Sequence, residues 1–96
     1  MGRALAVAIG VASIAAAVVA SAEPPAGAAA CSGCHPASTR VTSPVPRLAG
    51  LDRATIVRAM QDFRSGQRAS TVMDRIAKGF TEAEIQAIAA WYATQR

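Results

Sequence analysis

Two cysteines three residues apart, followed at once by a histidine, constrain this chain more than any other feature: Cys31-Ser32-Gly33-Cys34-His35. On one turn of helix, residues i and i+3 share a face. Both thiols can therefore reach the two vinyl groups of a single porphyrin, and the next residue presents its ring to the iron as the proximal ligand. Ser32 and Gly33 are small and let the backbone pass close to a macrocycle. This is the sequence form of covalent haem attachment, with Cys31 and Cys34 as anchors and His35 as ligand. The motif occurs once, so one haem c per chain is expected.

Other uses of the same residues stay open at this point. A structural zinc site closes with four Cys or His ligands. The chain holds two Cys and one His, so zinc would need carboxylates from elsewhere. A thioredoxin-like redox pair also uses C-x-x-C, but beside a βαβ pattern, and no segment here reads as a strand. A plain structural disulfide is the third alternative.

The N-terminus reads as an export signal over residues 1–22. Met1-Gly2-Arg3 supplies a short positive region, Ala4 to Val19 is an unbroken run of apolar or small residues, and Ala20-Ser21-Ala22 fits the A-x-A cleavage pattern. The competing reading is a retained membrane anchor. The run is at the short end of the roughly 20 residues needed to span a bilayer, and its alanines partition weakly into hydrocarbon. With cleavage, no membrane span is expected to remain, and residues 23–96 form the mature domain.

That domain is small, and chains of this size rarely bury enough apolar surface without a staple. A haem at the centre of the core would serve as one. Of the ten Lys and Arg only Arg3 lies ahead of residue 23, leaving nine against six Asp and Glu. The basic residues are scattered singly, which gives nucleic-acid binding no support and allows at most weak steering toward an acidic partner.

Periodicity along residues 23–96 is helical throughout. Pro24-Pro25-Ala26 can open a helix, and Gly27 to Cys34 is read as a short N-terminal helix carrying the haem motif. Pro36 to Pro46, with its prolines, serines and threonines, is read as a loop. Asp52 to Ser65 is the clearest helix: Leu51, Ile56, Val57, Met60 and Phe63 approximate one apolar stripe, and Gly66 ends it. Gln67 to Val72 is an irregular polar connection, and Asp74 to Lys78 can form a single turn, closed by Gly79. Thr81-Glu82-Ala83-Glu84 is a capping box launching a last helix to about Thr94, with Ile85, Ile88, Ala89 and Tyr92 inward.

Six-coordinate iron needs a ligand opposite His35, and Met/His ligation raises the potential. Besides Met1 there are two methionines. Met60 falls in the stripe of the middle helix, where Met is ordinarily core filler. Met73 follows the polar connection, where a loop can fold over the porphyrin, and is assigned as the second ligand. The alternative is a Met73 that only packs on the haem edge and leaves the iron five-coordinate and open to small gases. A metal-bound His usually donates its other ring N–H to a carbonyl or carboxylate. Pro46-Arg47-Leu48-Ala49-Gly50 can supply that carbonyl from Pro46 and lay Leu48 on the haem face. Its plainer reading is a turn before a helix start. Trp91 and Tyr92 are read as packing of the last helix on the first, where Gly27 and Ala28 permit close crossing, in preference to a role in electron tunnelling.

Taken in order, CSGCH, PRLAG, a Met and a final amphipathic helix with aromatics, the chain resembles class I c-type cytochromes over nearly all of residues 23–96. The resemblance implies a small all-α fold of three to five helices around one covalently attached haem, with crossing terminal helices. By position, it makes Cys31 and Cys34 the thioether anchors, His35 and Met73 the axial pair, and the Pro46 carbonyl the partner of His35. It also implies a periplasmic location, since haem is joined to such motifs outside the bacterial cytoplasmic membrane.

A narrower similarity lies in Phe63-Arg64-Ser65-Gly66 followed by STVMDRIAKGFTEAEI, from Ser70 to Ile85. This segment resembles the cytochrome subunit of flavocytochrome c sulfide dehydrogenase, which implies an FAD-containing flavoprotein partner and a downstream electron acceptor. The chain has no group suited to acid–base or nucleophilic catalysis, so it is expected to be an electron-transfer subunit and not an enzyme by itself. The alternatives are a free-standing shuttle in a respiratory or photosynthetic chain and, from a different class, a gas-binding haem protein with open iron.

Overall fold

The computed structural model describes residues 1–2, 10 and 23–95. The expected export signal lies outside the described residues except for Met1, Gly2 and Gly10. Among the described residues there are four helices and no strand: α1 (Ala28–Cys31), α2 (Arg53–Ser65), α3 (Met73–Lys78) and α4 (Glu82–Thr94). No described helix is long and apolar enough to cross a membrane.

Local chemistry sets the two long helices. α2 follows Asp52 and stops at Gly66, whose φ of 78° is the left-handed conformation that glycine adopts without steric cost. The chain then folds back, the Arg68 N–H donating to the Asp62 carbonyl at 3.2 Å and its guanidinium lying 5.0 Å from the Phe63 ring centroid. α4 begins with the complete capping box: the Glu84 N–H donates to Thr81 Oγ1, and the Thr81 N–H to Glu84 Oε2, both at 3.2 Å. Glu82 and Glu84 add negative charge where the helix dipole is positive.

The two short helices differ from the sequence reading. α1 ends at Cys31, and Cys34 and His35 continue in turns. Gly33 disfavours helix, and Pro36 pushes His35 out of the helical region. Met73 lies not in a loop but in the first turn of α3. Ser70 braces that turn from the preceding connection: its Oγ accepts the Asp74 N–H at 2.9 Å, and its hydroxyl donates to Asp74 Oδ1 at 3.1 Å.

α2 packs on both α3 and α4, while α1 packs on α4. The core consists of Ala28, Ile56, Val57, Met60, Ala77, Ile85, Ile88, Ala89 and Tyr92. Met60 is thus core filler, and the four α4 residues expected to point inward all do. Burying an Ile or Val side chain of this kind contributes about 1.5–3 kcal/mol. Ala28 is fully buried, and a Cβ on Gly27 would collide with the Phe80 ring, so the two small residues do admit a close crossing. On the outside, Arg53 donates to Gln86 at 2.7 Å and Gln61 to Glu82 at 2.8 Å, tying α2 to α4.

Candidate haem-attachment site

Successive backbone turns hold the motif together. Ser32 and Gly33 donate to the Ala29 and Ala30 carbonyls, and the Cys34 and His35 N–H groups both donate to the Cys31 carbonyl, at 3.2 and 2.9 Å. Cys34 therefore stays one turn beyond Cys31 although the regular helix has ended. Cys31 is half-buried and its thiol donates to the Gly27 carbonyl at 3.6 Å, whereas Cys34 is exposed. Burial pushes the Cys31 thiol above its ordinary value, an effect that the Tyr92 hydroxyl partly offsets.

The His35 ring is oriented from across the loop: its Nδ1 lies 2.5 Å from the Pro46 carbonyl oxygen. A carbonyl can only accept, so Nδ1 carries the proton, and in that tautomer of the neutral ring Nε2 is the nitrogen with a lone pair for a metal. Three contacts bring Pro46 there. Arg47 Nε donates to the Ala37 carbonyl at 2.8 Å, closing the Pro36 to Pro46 loop. Leu51 N–H donates to the Leu48 carbonyl, and Gly50 N–H reaches the Tyr92 carbonyl at the end of α4, both at 3.0 Å. Gly50 has φ 78°, which this turn requires. The segment is both the turn before a helix and the source of the carbonyl.

Beside His35 lies a cleft of about 260 Å³, lined among others by Pro36, Leu48, Ala49, Trp91 and Tyr92. Leu48 packs, half-buried, against the core at the edge of this cleft. A wider hollow of about 770 Å³ runs along α2 past Arg53, Arg58, Gln61 and Gln86 and shares no residue with the motif.

Met73 comes from a separate element. It is partly buried against the same core as Cys31 and Leu48. Its neighbours Val72 and Ile76 remain 53% and 42% exposed, apolar surface that a flat apolar group could cover. Among the described residues no three His, Cys, Asp or Glu converge as they would around a zinc ion, and no strand frames the C-x-x-C pair. Two thiols one turn apart, an imidazole with a free Nε2, a thioether on a half-buried turn and bare apolar surface beside it make a donor set that fits haem c.

Sequence reasoning missed two residues. For Tyr92 the expected packing role is incomplete. Its hydroxyl also donates to the Ala28 carbonyl at 2.6 Å in the buried interface and lies within hydrogen-bonding reach of the Cys31 thiol. Gly50 lies in the expected turn, and its N–H in addition anchors the Pro46 loop on α4. Neither pairing leaves a local signal, because each partner is distant in the chain. The Trp91 and Tyr92 rings meet edge to face with centroids 4.8 Å apart.

No family model matches the chain. It is 42% identical over 62 residues to the cytochrome subunit of sulfide dehydrogenase from Chlorobaculum tepidum, a match covering 65% of this chain and 56% of the relative. It is 37% identical over 62 residues to cytochrome c-552 of Acidithiobacillus ferridurans, covering 65% of this chain and 27% of that protein. It is 38% identical over 65 residues to the thiosulfate dehydrogenase electron acceptor of Stutzerimonas stutzeri, covering 66% and 30%. The match thus spans about half the length of the first relative and under a third of the other two. All three names are those of cytochromes or electron acceptors, and the four helices and lack of strands among the described residues agree with the small all-α cytochrome c fold expected from the resemblance.

Proposed function

We propose that residues 23–96 form a periplasmic class I c-type cytochrome with one haem, exported by residues 1–22. Its role is to accept electrons from an FAD-containing sulfide dehydrogenase flavoprotein and pass them to another carrier. The observation that carries the reading is the His35 ring, held through Nδ1 by the Pro46 carbonyl immediately after the Cys31/Cys34 pair. Supporting it, the chain resembles a protein named as the cytochrome subunit of a sulfide dehydrogenase.

When bound, the haem supplies an iron that cycles between ferric and ferrous states and so moves one electron at a time. The chain supplies the rest. Cys31 and Cys34 would hold the group through thioether bonds, and His35 would ligate the iron through Nε2. Pro46 orients His35, and Met73 would supply the second ligand to the iron. Val72 and Ile76 present the exposed apolar surface beside Met73 that the group would cover. Oxidation of sulfide belongs to the flavin subunit.

The test is expression in a cell that exports and haem-loads the chain, with its native neighbours present. The expected result is a haem-bearing polypeptide, heavier than its amino acids, that copurifies with a flavoprotein and is reduced when sulfide is added. A haem-bearing chain that elutes alone and ignores sulfide overturns the subunit assignment. That outcome favours a free shuttle, the reading suggested by similarity to a protein named as an electron acceptor for thiosulfate dehydrogenase.

A further inference from the structure

Two segments must meet for the His35 ring to be oriented: the turns after α1, which carry His35, and the loop from Pro46 to Gly50, which carries its acceptor. Both are fastened to one residue. The Tyr92 hydroxyl donates to the buried Ala28 carbonyl at 2.6 Å, three residues ahead of Cys31. The Tyr92 main-chain carbonyl accepts the Gly50 N–H at 3.0 Å, four residues beyond Pro46. Between these anchors the path is short and bonded throughout. His35 N–H is tied to the Cys31 carbonyl at 2.9 Å, and Arg47 Nε to Ala37 at 2.8 Å. The path closes where Nδ1 meets the Pro46 oxygen at 2.5 Å.

We propose that Tyr92 is a positioning residue for the proximal imidazole, its side chain fixing the segment that bears His35 and its main chain fixing the segment that bears Pro46. The proposal rests on the reading of His35 as the iron's ligand. Its physical content is that the hydrogen bond from Nδ1 sets how strongly the imidazole donates to the metal. Loosening either anchor lengthens that bond, makes the ring a poorer donor and stabilises the ferrous state. A Tyr92 that merely fills the core would influence stability and nothing at the iron.

The experiment compares the haem-bearing parent with Tyr92→Phe, Gly50→Ala and Ile85→Val. Tyr92→Phe keeps the ring and the main-chain carbonyl and deletes only the phenol bond. Gly50→Ala strains the opposite anchor at its positive φ, and provides the measurement if the first variant does not accumulate. Ile85→Val trims a core residue of the same helix that touches neither anchor in these bonds. The expected result is an upward shift in midpoint potential and a displaced His35 Nδ1–H proton resonance in both anchor variants, with neither in Ile85→Val. Anchor variants that melt earlier but keep the parent's potential and resonance overturn the proposal alone. A parent that leaves the exporting cell without haem ends the functional reading as well.

Discussion

The ring of Phe80 fills the space that a side chain on Gly27 would occupy, and Gly27 itself sits at φ 86°. The first residue before α1 is therefore restricted twice, by backbone conformation and by its neighbour. Gly27→Ala should lower stability by about 2–3 kcal/mol, combining left-handed strain with overpacking. Denaturant midpoints of the haem-bearing protein would check this. A change within the error of the measurement would mean that the Phe80 ring moves aside at no cost.

Removing the cap of α4 should have a smaller and cleaner effect. Thr81→Ala deletes the acceptor of the Glu84 N–H and is expected to cost about 1 kcal/mol. Thr81→Ser retains the hydroxyl and should recover most of it. Urea unfolding followed by helical circular dichroism distinguishes the two.

Acid should weaken the tie between α2 and α4. Hydrogen bonds from Gln86 and Gln61, with the Arg64 guanidinium 3.5 Å away, hold the Glu82 carboxyl below its ordinary value of 4.5. A carboxyl depressed in the folded state adds stability above its unfolded value and loses it as pH falls through the folded one. The contribution is thus complete above pH 4.5 and declines below it. Glu82 is exposed, so the effect is small and screened by salt. Melting temperatures measured down through this range should fall less steeply for Glu82→Gln than for the parent, and the two curves should converge at high ionic strength.

The two methionines should separate by spectroscopy. Met73→Ala is expected to keep the covalent haem, to lose the near-infrared sulfur-to-ferric band and to bind carbon monoxide when reduced. Met60→Leu exchanges one buried apolar side chain for another of similar volume, and should cost under about 1.5 kcal/mol with the band intact. If the band instead disappears with Met60→Leu, the ligand assignment is reversed.

Much of this architecture was legible in the residues because its causes are local. A capping box lies within four residues, and a glycine stop lies beside the last helical turn. An inward row repeats at helical spacing, so α2, α4 and the buried set Ile85, Ile88, Ala89 and Tyr92 followed from pattern alone. The Cys31 to His35 motif was equally self-contained. The short elements were harder to read. Gly33 already disfavours helix, but the spacing of the haem motif carries the expected helix through it to Cys34, three residues past the end of α1. The Ser70–Asp74 pair that makes Met73 helical does not match the usual three-residue capping pattern.

What the amino-acid order determined, then, is the all-helical class, the limits of the long helices and the chemistry of the cysteine–histidine motif. Only the tertiary structure decided that Tyr92 reaches Ala28 across a separation of 64 residues and that Gly50 docks on the end of α4. Those bonds depend on the crossing of α1 and α4 and on the path of the loop between them. Many side chains contribute to both, so no short stretch of sequence can encode either one.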